Sequence, residues 1–362
     1  MANQHICDMK HIKTHGEDFT QELEYYLNKF SMTQKELALR LGISIKHINS
    51  IMNNEVNDIS MNVIEALEYA FHLETGTLTE VYHIYNNKNE VIKNEGIEHK
   101  LNKYGAPFLI EHPELALAAN ISIKQNTPLH IKLMMLKRFY GVSDLTFYDK
   151  YLEENILAEP STYENPNSKI WIRFCELSAA NISGLNQLGT FRKSMFDPLY
   201  KKILNIIGNE SITFKDKFVS IKKVLLNKGI VLITMPFIKN SLIRAVSLKK
   251  GAKRFIFLSD MNKLEGHIFY SLLHEIVHCY FPDFSENEID NKVISEYYEW
   301  EKSRVSNYKA VYDAINAYEQ SRIIKERNKD VDISYIWTLL KEKYPYVSFE
   351  TEEIESEISE KE

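Results

Sequence analysis

Apolar residues recur with helical spacing over most of the first 213 positions of the chain. Between residues 17 and 85 they fall three and four positions apart, as one face of a helix requires, in the runs FTQELEYYLNKF, KELALRLGI, KHINSIM and NVIEALEYAF. This spacing predicts four or five short helices packed as one small domain. The polar run Asn86–Glu90 follows and predicts its boundary.

The region from 96 to 213 continues the helical pattern, for example in HPELALAANISIK and HIKLMMLKRFYGV. A break is predicted near Pro160 and Pro166, because proline lacks the backbone N–H that a helix interior uses. Residues 96–213 are therefore predicted to form a helical middle region.

The pattern changes to short β-branched and aromatic runs after Lys228. The runs Gly229–Thr234, Leu242–Ser247 and Phe255–Leu258 each have strand character. Polar connections at 239–241 and 249–253 have the length of hairpin turns, so a small three-stranded sheet, antiparallel at least in part, is expected. The fold class predicted for the whole chain is α+β, mostly α.

The chain is long enough for two or three domains. After the region 17–85 and the middle region, residues 214–345 are predicted to form a domain around the sheet. The final segment, 346–362, is an acidic tail expected to be disordered. No apolar run reaches the ~18 residues that a bilayer requires, so no membrane contact is expected.

The predicted location is the cytoplasm. The first residues lack the apolar core of a secretory signal. Cys7, Cys175 and Cys279 are odd in number and far apart, as expected for free thiols in a reducing compartment.

The charge is distributed unevenly around a net value of −6. Residues 101–270 hold 24 Lys and Arg against 14 Asp and Glu, whereas both flanking regions are acidic. A basic middle could bind nucleic acid or an acidic partner, or the regions could attract one another. The second interpretation is favoured, because no aromatic residues alternate with the basic ones as in a single-strand stacking surface.

His274 and His278 carry the strongest chemical signal. Four residues apart on a helix, they project from the same side toward one ion, and Glu275 between them is placed to act as general base. Apolar neighbours on the other faces predict a buried, rigid helix. The alternative is that both histidines are ordinary polar residues on a packed helix.

Catalytic Zn²⁺ takes three protein ligands and leaves one position for water. No histidine follows His278, so the third ligand is expected to be a carboxylate from the next helix. The region offers Glu286, Glu288, Asp290, Glu296, Glu299 and Glu301.

This part of the chain resembles the ImmA/IrrE family of metallopeptidases. The resemblance covers residues 217–306 and is strongest in the run FYSLLHEIVH, with His274 and His278 as zinc ligands and Glu275 as the catalytic residue. Laying Glu299–Ser306 on the E-x-E-A-N-x-F-A segment of the family implies Glu301 as the third ligand, ahead of Glu299 and Glu296. Lys302 and Ser303 stand where the family usually has Ala and Asn.

A helix-turn-helix pattern lies near the start of the chain. Thr33 and Glu36 are spaced as a capping box, Gly42 provides the turn and Ser44 caps the next helix. The residues expected to meet DNA are Lys46, His47, Asn49 and Ser50. The alternative is a helical bundle that recognises another protein, since the first hundred residues carry a net charge of −6.

Residues 17–75 resemble Xre-type helix-turn-helix domains, most specifically in MTQKELALRLGIS. Together the two resemblances imply a regulatory, zinc-dependent metallo-endopeptidase that cleaves a protein substrate, an Xre-type repressor, in stress, phage or mobile-element control. Double-stranded DNA is a second expected partner. The alternative is a DNA-binding transcriptional regulator or antitoxin whose peptidase-like module is not catalytic.

Overall fold

The computed structural model describes residues 13–56, 58–93, 96–157, 163–180, 188–303, 308–328 and 330–349. These residues form seventeen α-helices and one three-stranded sheet, which confirms the α+β, mostly α class. The chain divides into two compact units, residues 1–145 and 146–362. The division falls inside the predicted middle region 96–213, so that region contributes to both units.

The first unit is entirely helical over its described residues. Its helices are α1 (Phe19–Lys29), α2 (Gln34–Leu41), α3 (Ile45–Met52), α4 (Met61–Ala70), α5 (Thr77–Lys93), α6 (Ile97–Lys103), α7 (Ala106–Glu111), α8 (Pro113–Ala118) and α9 (Leu129–Tyr140). Helices α1 to α5 enclose one apolar core, in which Leu37, Ile64 and Leu67 are fully buried. This core spans Phe19 to Tyr85, but α5 continues through Asn86–Glu90, so the polar run predicted as a boundary is helical.

Local capping sets the turn between α2 and α3. The Thr33 hydroxyl accepts the Glu36 N–H, and the Ser44 hydroxyl accepts the His47 N–H, so each helix begins at its predicted cap. Gly42 ends α2 with φ +67°, a left-handed conformation that glycine adopts without strain. Only half of the predicted capping box forms, because the Glu36 carboxylate instead accepts two hydrogen bonds from Arg40.

The second unit surrounds the sheet with helices. Its elements are α10 (Thr146–Asn155), α11 (Pro166–Ala180), α12 (Phe196–Ile207), α13 (Phe214–Leu226), β1 (Ile230–Met235), β2 (Ala245–Lys250), β3 (Lys253–Ser259), α14 (Glu265–Tyr280), α15 (Glu286–Lys302), α16 (Ala310–Arg327) and α17 (Ser334–Lys343). The helix that bears His274 and His278 is α14, and it packs against β2, β3, α15 and α16.

The sheet has the strand order β1–β3–β2. Strand β3 pairs antiparallel with β2 and parallel with β1, so the expectation of a partly antiparallel sheet is confirmed. The connection through 239–241 was expected to be a hairpin turn, and that prediction is wrong. Strand β1 does not pair with β2, the next strand in the chain. It pairs instead with β3 in the parallel direction, and a parallel pair requires a crossover connection rather than a hairpin turn.

The register of β2 also differs from the sequence prediction. The strand begins at Ala245 rather than Leu242, and Lys249 and Lys250 pair with Arg254 and Lys253 instead of forming the turn. The turn is only Gly251 and Ala252, with Gly251 at φ +60°. Polar side chains at the end of an exposed hairpin resemble a loop in sequence, which explains the error.

The packed chain extends past the predicted domain end at 345. Tyr346 bridges to Leu264, the Phe349 N–H donates to the Asp260 carboxylate, and the Phe349 ring packs near Phe218. The predicted acidic tail therefore does not begin at 346. Residues 350–362 lie outside the described residues.

Gly266 allows α14 and α16 to approach closely. A β-carbon there would lie 2.0 Å from the Ala310 carbonyl oxygen, a backbone atom that cannot rotate away. Gly266→Ala should therefore lower the free energy of unfolding by about 1–3 kcal/mol, which outweighs the roughly 1 kcal/mol that alanine gains in helix propensity. Chemical denaturation of the two proteins measures the difference.

Ser271→Ala is the matched control on the same helix. The Ser271 hydroxyl donates only to the His267 carbonyl within α14, so its loss leaves no group of another helix unpaired. We expect unfolding at nearly the wild-type denaturant concentration. A Gly266→Ala protein as stable as wild type would show that the two helices are free to separate.

Candidate functional site

Three side chains converge at the junction of α14 and α15. The His274 Nε2 atom lies 3.0 Å from His278 Nε2 and 3.1 Å from Glu286 Oε2, and His278 Nε2 lies 3.4 Å from Glu286 Oε1. These ligand atoms all lie within 4.8 Å of one another. The i, i+4 spacing of the histidines produces this convergence on α14, as predicted.

Glu286 reaches the histidines because α15 begins immediately after a short turn. Ser285 and Glu288 form a capping box that fixes the start of α15, and Glu286 is its first helical residue. The side chain of Glu286 is 37% exposed, whereas those of His274 and His278 are 8% and 2% exposed. The cluster is therefore buried on the α14 side and open to solvent on the Glu286 side.

Asp290 contacts the Nδ1 side of the His274 ring, opposite the side that faces His278 and Glu286. One turn after Glu286 on α15, its carboxylate accepts hydrogen bonds at Oδ1 from Tyr270 (2.8 Å) and from His274 Nδ1 (2.9 Å), and at Oδ2 from Tyr318 (2.9 Å). An ionised carboxylate only accepts hydrogen bonds, so Nδ1 of His274 carries a proton. Its Nε2 atom is thereby turned toward His278 and Glu286.

The acidic neighbours change the ionisation of this cluster. Burial alone would lower the pKa of His274, but the hydrogen bonds to Asp290 and Glu286 outweigh it and raise that pKa to about 9. Hydrogen bonds from His274 and His278 hold the pKa of Glu286 well below its usual range. Without a metal ion, a proton on His274 therefore keeps the facing nitrogen and carboxylate atoms together near neutral pH.

Glu275 is a buried carboxylate on the same helix. It is 4% exposed, and its Oε2 atom has no hydrogen-bond partner among the residues that the structure describes. A buried, unpaired carboxylate oxygen is costly unless a proton, water or cation balances it. Because Glu275 lies between the two histidines in sequence, it belongs to the same end of α14.

The donor set suits a zinc ion. In a tetrahedral site with bonds of about 2.0–2.1 Å, the ligand atoms lie roughly 3.3 Å apart, close to the separations among His274, His278 and Glu286. Two imidazoles and one carboxylate also match the ligand types of catalytic zinc sites. The exposed side of Glu286 leaves room for a fourth ligand.

In the structure Glu286, and not the expected ligand Glu301, lies with the two histidines. Glu301 lies on α15 fifteen residues beyond Glu286, about 22 Å along the helix axis at 1.5 Å per residue. Its carboxylate lies 2.5 Å from Lys309 Nζ. Of the two residues ranked next, Glu296 pairs with Lys292, and Glu299 lies thirteen residues, about 20 Å, beyond Glu286 on α15.

A local signal in the sequence does identify Glu286. Ser285 and Glu288 have capping-box spacing, which starts the helix at 286 and places Glu286 and Asp290 on one face, four residues apart. The first carboxylate of that face lies beside His274 Nε2, and the second accepts a hydrogen bond from His274 Nδ1. The resemblance to the peptidase family favoured Glu301 over Glu286 and Asp290.

The helix-turn-helix surface presents most of the predicted contact residues. Lys46, His47 and Asn49 of α3 are exposed, Ser50 is partly buried, and Ile48 and Ile51 anchor the helix in the core. Ile45, the first residue of α3, is 47% exposed on the same surface and was not among the predicted contacts. The first turn of a recognition helix is where base edges are contacted, and apolar side chains meet thymine methyl groups there.

Comparison with known proteins supports the N-terminal prediction. Residues 23–77 match the helix-turn-helix family model HTH_3, which supports a DNA-binding regulatory role. No curated protein and no solved structure matches the chain. The resemblance of residues 217–306 to the ImmA/IrrE peptidases has no counterpart in these matches.

The helices carry no membrane-spanning signal. Among the described residues, none of them is both long and apolar enough to cross a bilayer.

The raised pKa of His274 predicts proton release on metal binding. A metal ion at Nε2 replaces the proton that His274 carries below pH 9, so zinc binding at pH 7 should release about one proton from this residue. Calorimetric titration with Zn²⁺ in buffers of different ionisation enthalpy counts the protons. The count should fall by about one in His274→Ala at the same pH, and an equal count in both proteins would contradict this assignment.

Lys46 is the test of the DNA surface. Lys46→Glu replaces a phosphate attraction by a repulsion, so affinity for duplex DNA should fall and the salt dependence should weaken by about one counterion or more. Fluorescence anisotropy at several salt concentrations measures both. Lys124→Glu, an exposed lysine elsewhere in the first unit, is the matched control.

Unchanged DNA binding by Lys46→Glu would contradict the assignment of α3. If binding were lost instead on changing Lys249, Lys250 and Lys253, the interface would lie at the basic β2–β3 hairpin.

Proposed function

We propose that this chain is a DNA-binding regulator whose second unit is a zinc-dependent endopeptidase acting on a protein substrate. The observation that carries the proposal is the convergence of His274, His278 and Glu286, with the buried Glu275 between the two histidines on α14. The helix-turn-helix match at residues 23–77 supports the regulatory part.

His274 Nε2, His278 Nε2 and the Glu286 carboxylate would hold the ion. Zinc bound there supplies Lewis acidity, which polarises a carbonyl group and acidifies a water molecule. The chain's own residues keep the three donor atoms together in a largely buried setting. The rigid burial of α14 limits how far its two imidazoles can move apart.

Glu275 has the role of proton acceptor and donor. Its unpaired Oε2 atom can take a proton from the attacking water and pass it to the leaving amine, as a positioned general base does. No other hydrogen-bond donor among the described residues competes for this oxygen.

The proposed substrate is a regulator of the Xre type. This choice follows from the resemblance of residues 217–306 to ImmA/IrrE peptidases and from the helix-turn-helix domain on the same chain. A domain of that class can bring the peptidase to a DNA site or to a repressor of similar fold.

A second candidate function is a DNA-binding regulator or antitoxin without peptidase turnover. The helix-turn-helix match favours it, because that match bears on DNA binding and not on hydrolysis. In this case the His274 cluster would bind a metal ion or a partner and hold the second unit in shape. The two functions differ in what the loss of Glu275 does.

Glu275→Gln separates chemistry from metal binding. The amide keeps the size of the side chain but cannot accept the proton, so zinc should stay bound while cleavage falls by roughly 10²–10⁴-fold. The measurements are zinc content and gel-based cleavage of a co-expressed Xre-type repressor encoded nearby. Cleavage at the wild-type rate would refute the general-base role, and a zinc-loaded wild type that cuts no such repressor would favour the second candidate.

Two glutamates on α15 form a matched pair for the ligand assignment. Glu286→Gln should weaken zinc binding and hydrolysis together, because the carboxylate at the cluster is lost. Glu301→Gln should change neither, since Glu301 lies at the far end of the helix beside Lys309. Loss of zinc in the Glu301 variant alone would reverse the assignment.

A further inference from the structure

Asp290 is a buried carboxylate that none of the proposed catalytic steps uses. It is 2% exposed, and three donors from two other helices surround it: Tyr270 and His274 of α14 and Tyr318 of α16. A buried charge needs such compensation, because it loses its hydration on folding. The three contacts also make the carboxylate a fixed point between α14, α15 and α16.

We infer that Asp290 is a positioning residue for the proposed metal centre, which holds His274 in the Nδ1-protonated form with Nε2 presented as a ligand. The inference rests on the proposed zinc site. A neutral imidazole carries its proton on either nitrogen, and only a lone pair on Nε2 can bind an ion shared with His278 and Glu286. The bond from Nδ1 to Asp290 selects that form.

Tyr270 and Tyr318 keep Asp290 itself in place. Their hydroxyl groups donate to different oxygens of the carboxylate, which prevents it from rotating away from His274. The Tyr318 ring in turn lies under the Arg244 guanidinium, 5.3 Å from the ring centroid. Residues of α14, α15 and α16, together with Arg244 just before β2, therefore fix the orientation of the His274 imidazole.

His278 provides an internal contrast. Its Nδ1 atom is buried and has no hydrogen-bond partner among the described residues, so no carboxylate holds this ring from the Nδ1 side as Asp290 holds His274. The support that Asp290 gives is thus specific to His274. Removing Asp290 should act on metal binding through His274 and through no other ligand.

The principal test is the zinc affinity of Asp290→Asn. The asparagine side chain has nearly the same shape but can turn an N–H₂ group toward Nδ1, which favours the opposite tautomer and blocks Nε2. Zinc affinity, measured by competition with a chromophoric chelator, should fall by roughly 10–100-fold. Glu301→Gln on the same helix is the control and should bind zinc as wild type does.

A double-mutant cycle distinguishes positioning from a general structural role. In a His274→Ala background, Asp290→Asn should cause no further loss of the residual zinc affinity, because the residue through which it acts is gone. A purely structural residue would lower affinity to the same extent in both backgrounds. The thermal midpoint of each metal-free protein shows whether the fold has changed.

The Tyr270→Phe/Tyr318→Phe double variant tests the inference if Asp290→Asn does not fold. It keeps the carboxylate and removes the two hydroxyl groups that hold it, so zinc affinity should fall by a smaller factor of about 5. Unchanged affinity in a folded Asp290→Asn protein, or in the tyrosine variant where the first does not fold, would overturn the inference and leave the zinc site standing. Absence of zinc binding by the wild-type protein would overturn the zinc site and the inference together.

Discussion

The burial of α14 is the constraint on which the second unit depends. Every residue from Gly266 to Tyr280 is buried, because the sheet covers the helix on one side and α12, α15 and α16 pack around it. Most of these residues are apolar and supply the core directly. The polar ones, among them His274, Glu275 and His278, lose their hydration and must find partners inside the protein.

That requirement connects the packing of the helix to its chemistry. Asp290 satisfies one nitrogen of His274, and Glu286 faces the other nitrogen together with His278. The result is a set of electron-rich atoms that needs a proton or a cation between them. A cluster of this kind on a rigid helix is stable once an ion or a proton lies between its donor atoms. Without one, the cluster lowers the stability of the fold.

The helix-turn-helix unit depends on different physics. Its core is an ordinary apolar one, and its short helices begin and end at local caps, Thr33, Gly42 and Ser44. The surface of α3 holds only Lys46 as a permanent cation beside neutral polar groups and Ile45. Affinity for DNA would therefore depend more on contacts with bases than on phosphate attraction, in contrast to strongly basic domains.

The sequence by itself determined the features that arise within a few residues. Helical spacing predicted α1 to α4 and the buried character of α14, and the i, i+4 spacing of His274 and His278 predicted their convergence. Capping residues located the helix-turn-helix, which the family match then confirmed. These features follow from local backbone geometry, so they do not depend on the rest of the chain.

Tertiary structure decided how distant segments meet. Strand β1 pairs with β3 because the chain between them passes through β2 and comes back beside β1. The lengths of the connections, which suggested hairpin turns, could not predict this strand order. In the same way, the six candidate carboxylates between 286 and 301 look alike in sequence, and the turn 281–285 decides which of them lies beside α14. Glu286 stands at that return point and Glu301 lies some 22 Å farther along a straight helix, because 1.5 Å per residue separates them.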